Sequence, residues 1–279
     1  MKRKYINLYI FGILSLMATP FITSCNELDG DNSDFDFEDK VKVESIERVP
    51  NTIRMATYNV HRCAPANSSV ANYDMTANAI KLLDADVVAL QELDKGTKNN
   101  PVDQIEELAK RNGYKPYFCK AVDMHGGEYG VGIMSKVEPL STYSEKLPGD
   151  EPRVFFVCEF DDFVFIATHL CVATASNRQW SYDLINSYVK KVYASVKKPV
   201  FLAGDLNDTS LPTNCLDNWQ PVSASSTTFF SSSKRLDYIL HWKGNETTCE
   251  VVKTMVPRIE GFSFYDVSDH LPVIVDIAK

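Results

Sequence analysis

Lys198-Pro199-Val200-Phe201-Leu202-Ala203-Gly204-Asp205-Leu206-Asn207-Asp208 is the stretch on which the reading of this chain turns. A proline opens a short apolar run, the signature of a buried strand arriving from a loop. The run stops at Gly204, and Asp205 and Asn207 follow one residue apart. In extended chain such a pair shares one face, so a carboxylate and an amide point the same way. That pair suits a general base with a group that orients its water. An Asx-type turn at a strand end is the plain alternative. The rest of the chain decides between them.

Working outward, other strands end in polar groups as well. Thr52 to Val60 reads as a strand finishing in Tyr58-Asn59-Val60-His61, and Asp86-Val87-Val88-Ala89-Leu90 as one finishing in Gln91-Glu92. Between them, a helix is expected from Asp74, with Met75, Ala79, Leu82 and Leu83 on its apolar face. Asn100-Pro101 is expected to open a second helix that stops at Gly113. Strand signals then crowd at Tyr114–Lys120, Tyr129–Ser135, Arg153–Phe160 and Phe163–Leu170, the last two joined by a tight Asp161-Asp162 turn. Ser176 with Gln179 predicts a capping box for a helix whose stripe is Trp180, Leu184, Tyr188, Val192 and Val196. A polar loop region is expected from Asp208 to about Ser233. Strands follow at Arg235–Leu240 and Leu271–Ile277, the latter entered from Ser268-Asp269-His270. This order predicts two packed sheets with helices outside, in one α+β domain.

The polar residues therefore gather at strand termini: Asn59, Glu92, His169, Asp205 with Asn207, Asp237, and Asp269 with His270. Any one of them is ordinary turn or surface chemistry. Together they predict convergence at one edge of the sheets. Glu92, Asn59 and Asp269 offer hard oxygen ligands, which suit magnesium, manganese or calcium and not zinc. A sparse carboxylate set is what magnesium needs when substrate phosphate oxygens complete its shell.

The same pieces carry a family resemblance. Thr57-Tyr58-Asn59-Val60-His61, Leu90-Gln91-Glu92, Tyr129-Gly130-Val131-Gly132-Ile133-Met134-Ser135, Thr168-His169-Leu170, Gly204-Asp205-Leu206-Asn207, Arg235-Leu236-Asp237-Tyr238 and Ser268-Asp269-His270 occur in order over residues 52–277. The chain resembles the endonuclease/exonuclease/phosphatase superfamily, the deoxyribonuclease I-like metal-dependent phosphoesterases. The resemblance implies a four-layer αββα sandwich of two mainly antiparallel sheets, with the active site at one edge. It implies Glu92 as principal magnesium ligand, helped by Asn59 and Asp269. It also implies Asp205 acting on the attacking water, Asn207 fixing it, and His270 oriented by Asp237 at the scissile phosphate. His169 would contact phosphate or protonate the leaving oxygen, with Tyr129, Arg178 and His61 as further substrate contacts. His61 is a departure, since exonuclease III-type members carry an acidic residue there. The Thr-His-Leu element also sets the chain apart from that branch. The implied substrate is a phosphoester of nucleic acid, phospholipid or sugar; a binding protein descended from such an enzyme is the alternative.

The N-terminus predicts an address. Lys2, Arg3 and Lys4 precede an apolar stretch from Tyr5 to Phe21, then Ile22-Thr23-Ser24-Cys25. Proline at 20 makes this a poor membrane span, and the ending resembles the bacterial lipoprotein box. The expectation is a signal peptide over residues 1–24, lipidated Cys25, an acidic tether over 25–49 and a catalytic domain over 50–279. From Asn26 to Arg48 nine acidic residues face three basic ones, which suits a solvated tether. An acidic run after the lipidated cysteine resembles export signals that place lipoproteins on the outer membrane surface of Gram-negative bacteria. The chain beyond the tether carries a net charge of about −5, which argues against a grip on many nucleic-acid phosphates. Six further cysteines permit either disulfides or buried thiols, and a monomer is expected.

Overall fold

Two β-α-β units, one in each sheet, organise the fold, each joining a parallel pair of neighbouring strands through a helix. The computed structural model describes residues 46–279; the signal segment, Cys25 and the tether up to residue 45 lie outside the described residues. In chain order the elements are β1 (Thr52–Asn59), α1 (Tyr73–Leu83), β2 (Val87–Lys95), α2 (Gln104–Asn112), β3 (Lys115–Met124), β4 (Gly127–Ser135), β5 (Ser141–Leu147) and β6 (Arg153–Glu159). There follow β7 (Val164–His169), α3 (Ala175–Tyr193), β8 (Val200–Asp205), α4 (Thr213–Leu216), β9 (Trp219–Pro221), β10 (Asp237–Trp242), β11 (Val251–Met255) and β12 (Val273–Ala278).

The strands form two six-stranded sheets, ordered β11-β12-β1-β2-β4-β3 and β5-β6-β7-β8-β10-β9. Each has one parallel pair, β1 with β2 and β7 with β8, inside an otherwise antiparallel sheet. The sheets thus repeat one plan, with β12-β1-β2-β4 matched by β6-β7-β8-β10. Met55, Val87, Ala89 and Val275 of the first sheet pack against Phe165, Ala167, Phe201 and Ile239 of the second. Alternate residues face outward, Val88 and Leu90 onto α1 and α2, Ile166 and Leu202 onto α3 and α4. The result is the expected four-layer αββα sandwich. Each large apolar side chain buried in these layers contributes about 1.5–3 kcal/mol of transfer free energy.

Several local expectations move. Asn72 caps α1, its Oδ1 accepting from Met75 N at 3.1 Å, and Asp103 rather than Asn100 caps α2. Thr174 rather than Ser176 caps α3. The core face of α3 is Tyr182, Ile185, Val189 and Tyr193, whereas Trp180 is 55% exposed. The expected stripe stepped four residues each time, and each such step rotates about 40° beyond a full turn. It therefore winds off the buried face. The edge strands β5 and β11 were not expected; β5 is almost wholly exposed and polar, so it shows no apolar signal. The expected polar loop after Asp208 contains α4 and β9. The six cysteines are free thiols, five of them buried.

Candidate active site

Strand parity brings the polar termini together. In β8, Phe201 and Ala203 face the opposite sheet, so Asp205 continues that face into the gap between the sheets. The same count carries β7 from Phe165 and Ala167 to His169, and β1 from Ile53 and Met55 to Asn59. Glu92 has the wrong parity and needs a correction. A β-bulge between Leu90 and Leu93, opposite Gly132 and Gly130, inserts one extra residue into β2, and Glu92 takes a left-handed φ of 60°. Such a bulge re-aims a side chain, here from the α1–α2 side toward the gap. Gly204 is required for another reason: a Cβ there would lie 2.0 Å from the Thr168 carbonyl oxygen of the neighbouring parallel strand.

The termini open into a cleft of about 700 Å³, whose walls include Glu92, Arg153, His169, Asp205, Asn207 and His270. Asn59, fully buried, donates from Nδ2 to Glu92 Oε1 and to Asp205 Oδ2, both at 3.1 Å. Its Oδ1 accepts from His61 N at 3.1 Å. Asn59 therefore positions both carboxylates as a donor, while its Oδ1 keeps a second lone pair beyond the bond from His61 N. Asp205 Oδ1 accepts from Asn207 N at 2.9 Å, and Asn207 Nδ2 donates to Leu170 O at 3.0 Å. Asn207 itself has a φ of 51°, so this pair meets through an Asx turn and not along an extended strand. The turn and the functional reading coexist.

Two buried imidazoles flank Asp205. His270 Nδ1 lies 2.8 Å from Asp237 Oδ2, and its Nε2 lies 3.6 Å from Asp205 Oδ2. Burial alone would discourage its charging, but Asp237, then Asp205 and Asp269, outweigh it and raise the imidazole to about 10. Phe229 covers the ring at a centroid distance of 4.8 Å. His169 Nε2 lies 3.5 Å from the same Asp205 oxygen, yet its Nδ1 faces Arg153 Nη1 at 2.9 Å. A guanidinium only donates, so Nδ1 accepts and the ring's proton sits on Nε2. Burial, then Arg153, His270 and Arg62, hold His169 well below the ordinary imidazole range. One histidine is an imidazolium and the other a neutral donor. Asp205 is pushed up to about 7 by burial and by Asp237, against the pull of His270, Asn207 N and Asn59.

The remaining candidates separate. Asp269 lines the cleft. Tyr129 is buried, its hydroxyl pushed up by burial and by the charge of Glu92 against the pull of Arg153 and Arg62. Arg178 reaches the cleft wall, but it is anchored by Nε to Asp208 Oδ1 at 2.5 Å and by Nη1 to Cys171 O at 3.0 Å. His61 does not join the cleft; it lines a neighbouring cavity. Arg153 was missed, although the sequence held a signal. The Asp161-Asp162 hairpin fixes the β6–β7 register, with Phe155 opposite Thr168, which sets Arg153 beside the end of β7. Searching strand ends alone passed over the start of an antiparallel neighbour.

Asp205, Asp237 and His270 place ligand-type atoms within 4.8 Å of one another, but the His270 Nδ1 of that group is committed to Asp237. The free hard-oxygen capacity lies with Glu92, which is half-buried, and with Asp269. An all-oxygen set of this kind fits a hard divalent cation.

A two-sheet αββα sandwich with carboxylates and imidazoles gathered at one edge is the deoxyribonuclease I-like fold. The model of the endonuclease/exonuclease/phosphatase family matches residues 56–270, and the chain belongs to that family, whose members and structural neighbours are hydrolytic phosphoesterases. A family protein from Beutenbergia cavernae is 21% identical, with 82% of this chain and 72% of that one covered and a TM-score of 0.67. A mannosyl-6-phosphatase from Bacteroides thetaiotaomicron is 18% identical over 81% of this chain and 100% of its own, with a TM-score of 0.59. The human Nocturnin catalytic domain, with bound sulfate, is 18% identical over 82% and 93%, with a TM-score of 0.62. No curated protein matches the chain.

Proposed function

We propose that the chain hydrolyses a phosphoester by in-line attack of water, with magnesium, manganese or calcium as cofactor. The observation that carries this reading is the imidazolium of His270 held between buried Asp237 and Asp205. Asp205 takes a proton from the attacking water, which Asn207 helps to hold. The water oxygen bonds to phosphorus as the P–O bond to the leaving group breaks, and the departing alkoxide takes its proton from solvent water, while Asp205 later returns the proton it gained to solvent. His270 donates toward the phosphoryl oxygens as negative charge develops there, and Asp237 fixes its ring and favours its charge. His169, held neutral, is suited to donate a hydrogen bond to phosphate rather than to protonate the leaving oxygen. Arg153 sets the tautomer of His169 and adds positive charge at the cleft wall. A divalent cation held by Glu92 and Asp269 would supply Lewis-acid charge at the phosphate.

The net charge of about −5 favours a small phosphoester over a long polyanion, and a sugar phosphate is the preferred class. The mannosyl-6-phosphatase relative supports it. We place the protein on the outer membrane through lipid at Cys25, in the manner its signal segment suggests; Cys25→Ala should then move it to the soluble fraction. A substrate panel with magnesium, covering DNA, RNA, sphingomyelin, inositol phosphates, sugar phosphates and a chromogenic diester, tests the activity. Absence of turnover on every one would end this reading.

A further inference from the structure

Next to the cleft lies a second cavity of about 250 Å³, lined by His61, Arg62, Ser69, Asp94, Asn99 and His125 among others. The Arg62 guanidinium lies 5.3 Å from the Tyr129 ring centroid, and the charges of Glu92 and Arg153 on the cleft wall both act on the Tyr129 hydroxyl. Glu92 sits within the bulge of β2, and Asp94 lies two residues further along the strand, just beyond it.

Asp94 is the unusual member. It is 3% exposed, and its Oδ2 accepts from Asn100 Nδ2 at 2.5 Å and from Thr97 Oγ1 at 3.3 Å. Its Oδ1 is buried without any partner. The nearest cation, Arg62 Nε, stops 4.0 Å away, too far for a hydrogen bond. Buried carboxylate oxygens are ordinarily satisfied, so this oxygen calls for a donor that enters the cavity. A further phosphate would be repelled by Asp94, and an ammonium by Arg62. An apolar group would leave Oδ1 orphaned. A hydroxyl meets every requirement, donating to Asp94 while accepting from Arg62. His61 adds an acceptor: its Nδ1 faces Ala64 O at 3.1 Å, which holds the ring proton there and leaves Nε2 free to accept.

We propose that this cavity binds hydroxyl groups of the substrate's alcohol moiety, so that the phosphoester is one of a sugar or similar polyol. The proposal rests on the phosphoesterase reading of the cleft and adds a specificity site to it. Asp94, Arg62 and His61 act on recognition and take no part in the chemical step.

The test compares kcat/KM for a hexose 6-phosphate and for ribose 5-phosphate against phenyl phosphate, which has no hydroxyl to offer. The wild-type protein should prefer a polyol phosphate. In Asp94→Asn that preference should fall by about tenfold or more, chiefly through KM, because an amide presents a second donor to the hydroxyl. The new side chain keeps one oxygen for Asn100 and Thr97, and circular dichroism verifies the fold. Arg62→Met, at a half-exposed position, should move the preference in the same direction. The hexose and ribose arms separate a carbohydrate from a nucleotide source. A preference unchanged within about twofold in both variants would mean that Oδ1 meets only water, and would overturn the proposal. Should no phosphoester be hydrolysed at all, the reading of the cleft fails instead. The cavity is then tested by calorimetric titration with free hexose and ribose: binding abolished in Asp94→Asn sustains it, and no binding to the wild-type protein overturns it.

Discussion

The two ends of β1 treat buried charge in opposite ways. Near its start, Arg54 and Asp276 are both essentially inaccessible and form a bidentate pair, with contacts of 2.6 and 2.8 Å. Arg54 Nη1 also donates to Ile46 O at 2.7 Å and to Leu83 O at 3.2 Å, and the neighbouring Asp86 is paired with Arg48. At its far end, Asn59 sits between Glu92 and Asp205, and with Asp237 beside His270 the carboxylates there outnumber the imidazolium. Asp237 Oδ1 has no partner there. The first cluster is nearly closed and can only hold the fold together. The second is under-compensated, and its missing partners are those that a cation, water and phosphate would supply. Stability is concentrated at one end of the sandwich and chemistry at the other.

The largest expected effect tests the reactive end. Asp205→Asn should lower kcat by about 10² or more, yet raise stability. Asp205 is raised to about 7 from an ordinary value of 3.8, so its ionisation opposes folding as pH rises through that window. His270, raised to about 10, contributes stability that is complete below its unfolded value and lost as pH climbs through 10. Both effects make the metal-free protein less stable with rising pH between 4 and 10. Melting curves at pH 5 and pH 8 should show Asp205→Asn gaining chiefly at pH 8. A lower melting temperature at pH 8 would break the contrast.

Asp276→Asn should do the reverse. It leaves Arg54 buried beside a neutral partner, and breaking such a pair costs about 3–5 kcal/mol. Urea unfolding measures the loss, while kcat per folded molecule should stay unchanged. A comparable fall in kcat would show that the two ends are coupled through β1.

Asp237→Asn sharpens the account of the reactive end. Without that carboxylate, burial should pull His270 down, so the alkaline fall of activity moves to lower pH by about one unit or more. Adding Asp237→Asn to His270→Ala should cost little beyond His270→Ala alone, because the two act as a unit. Losses that multiply would separate them. The smallest effect belongs to neither end: Trp180→Ser, on the exposed side of α3, should change unfolding free energy by about 0.5 kcal/mol or less. A larger loss would restore the helix face that the sequence suggested.

The layering and most of the strands in chain order were legible in the sequence, as was the placing of Asn59, His169, Asp205, Asp237 and His270 beside strand ends; Glu92 instead lies inside β2, which runs on to Lys95. Alternation, turn residues and apolar runs are local properties of the chain. So was the hairpin arithmetic that sets Arg153 beside His169. What only tertiary structure decided was the state of each group. Nothing local says that a bulge turns Glu92 into the cleft, or that Asn59 acts as a donor between two carboxylates. Nor does it say that His61 is diverted into a second cavity. The two histidines show why: each ends or precedes an apolar strand, and each is about equally buried at 5% and 4%. One is neutral because Arg153 arrives from β6, and the other is charged because Asp237 arrives from β10. Burial and Coulomb interactions depend on distances between segments far apart in sequence, and those distances exist only once the sheets have packed.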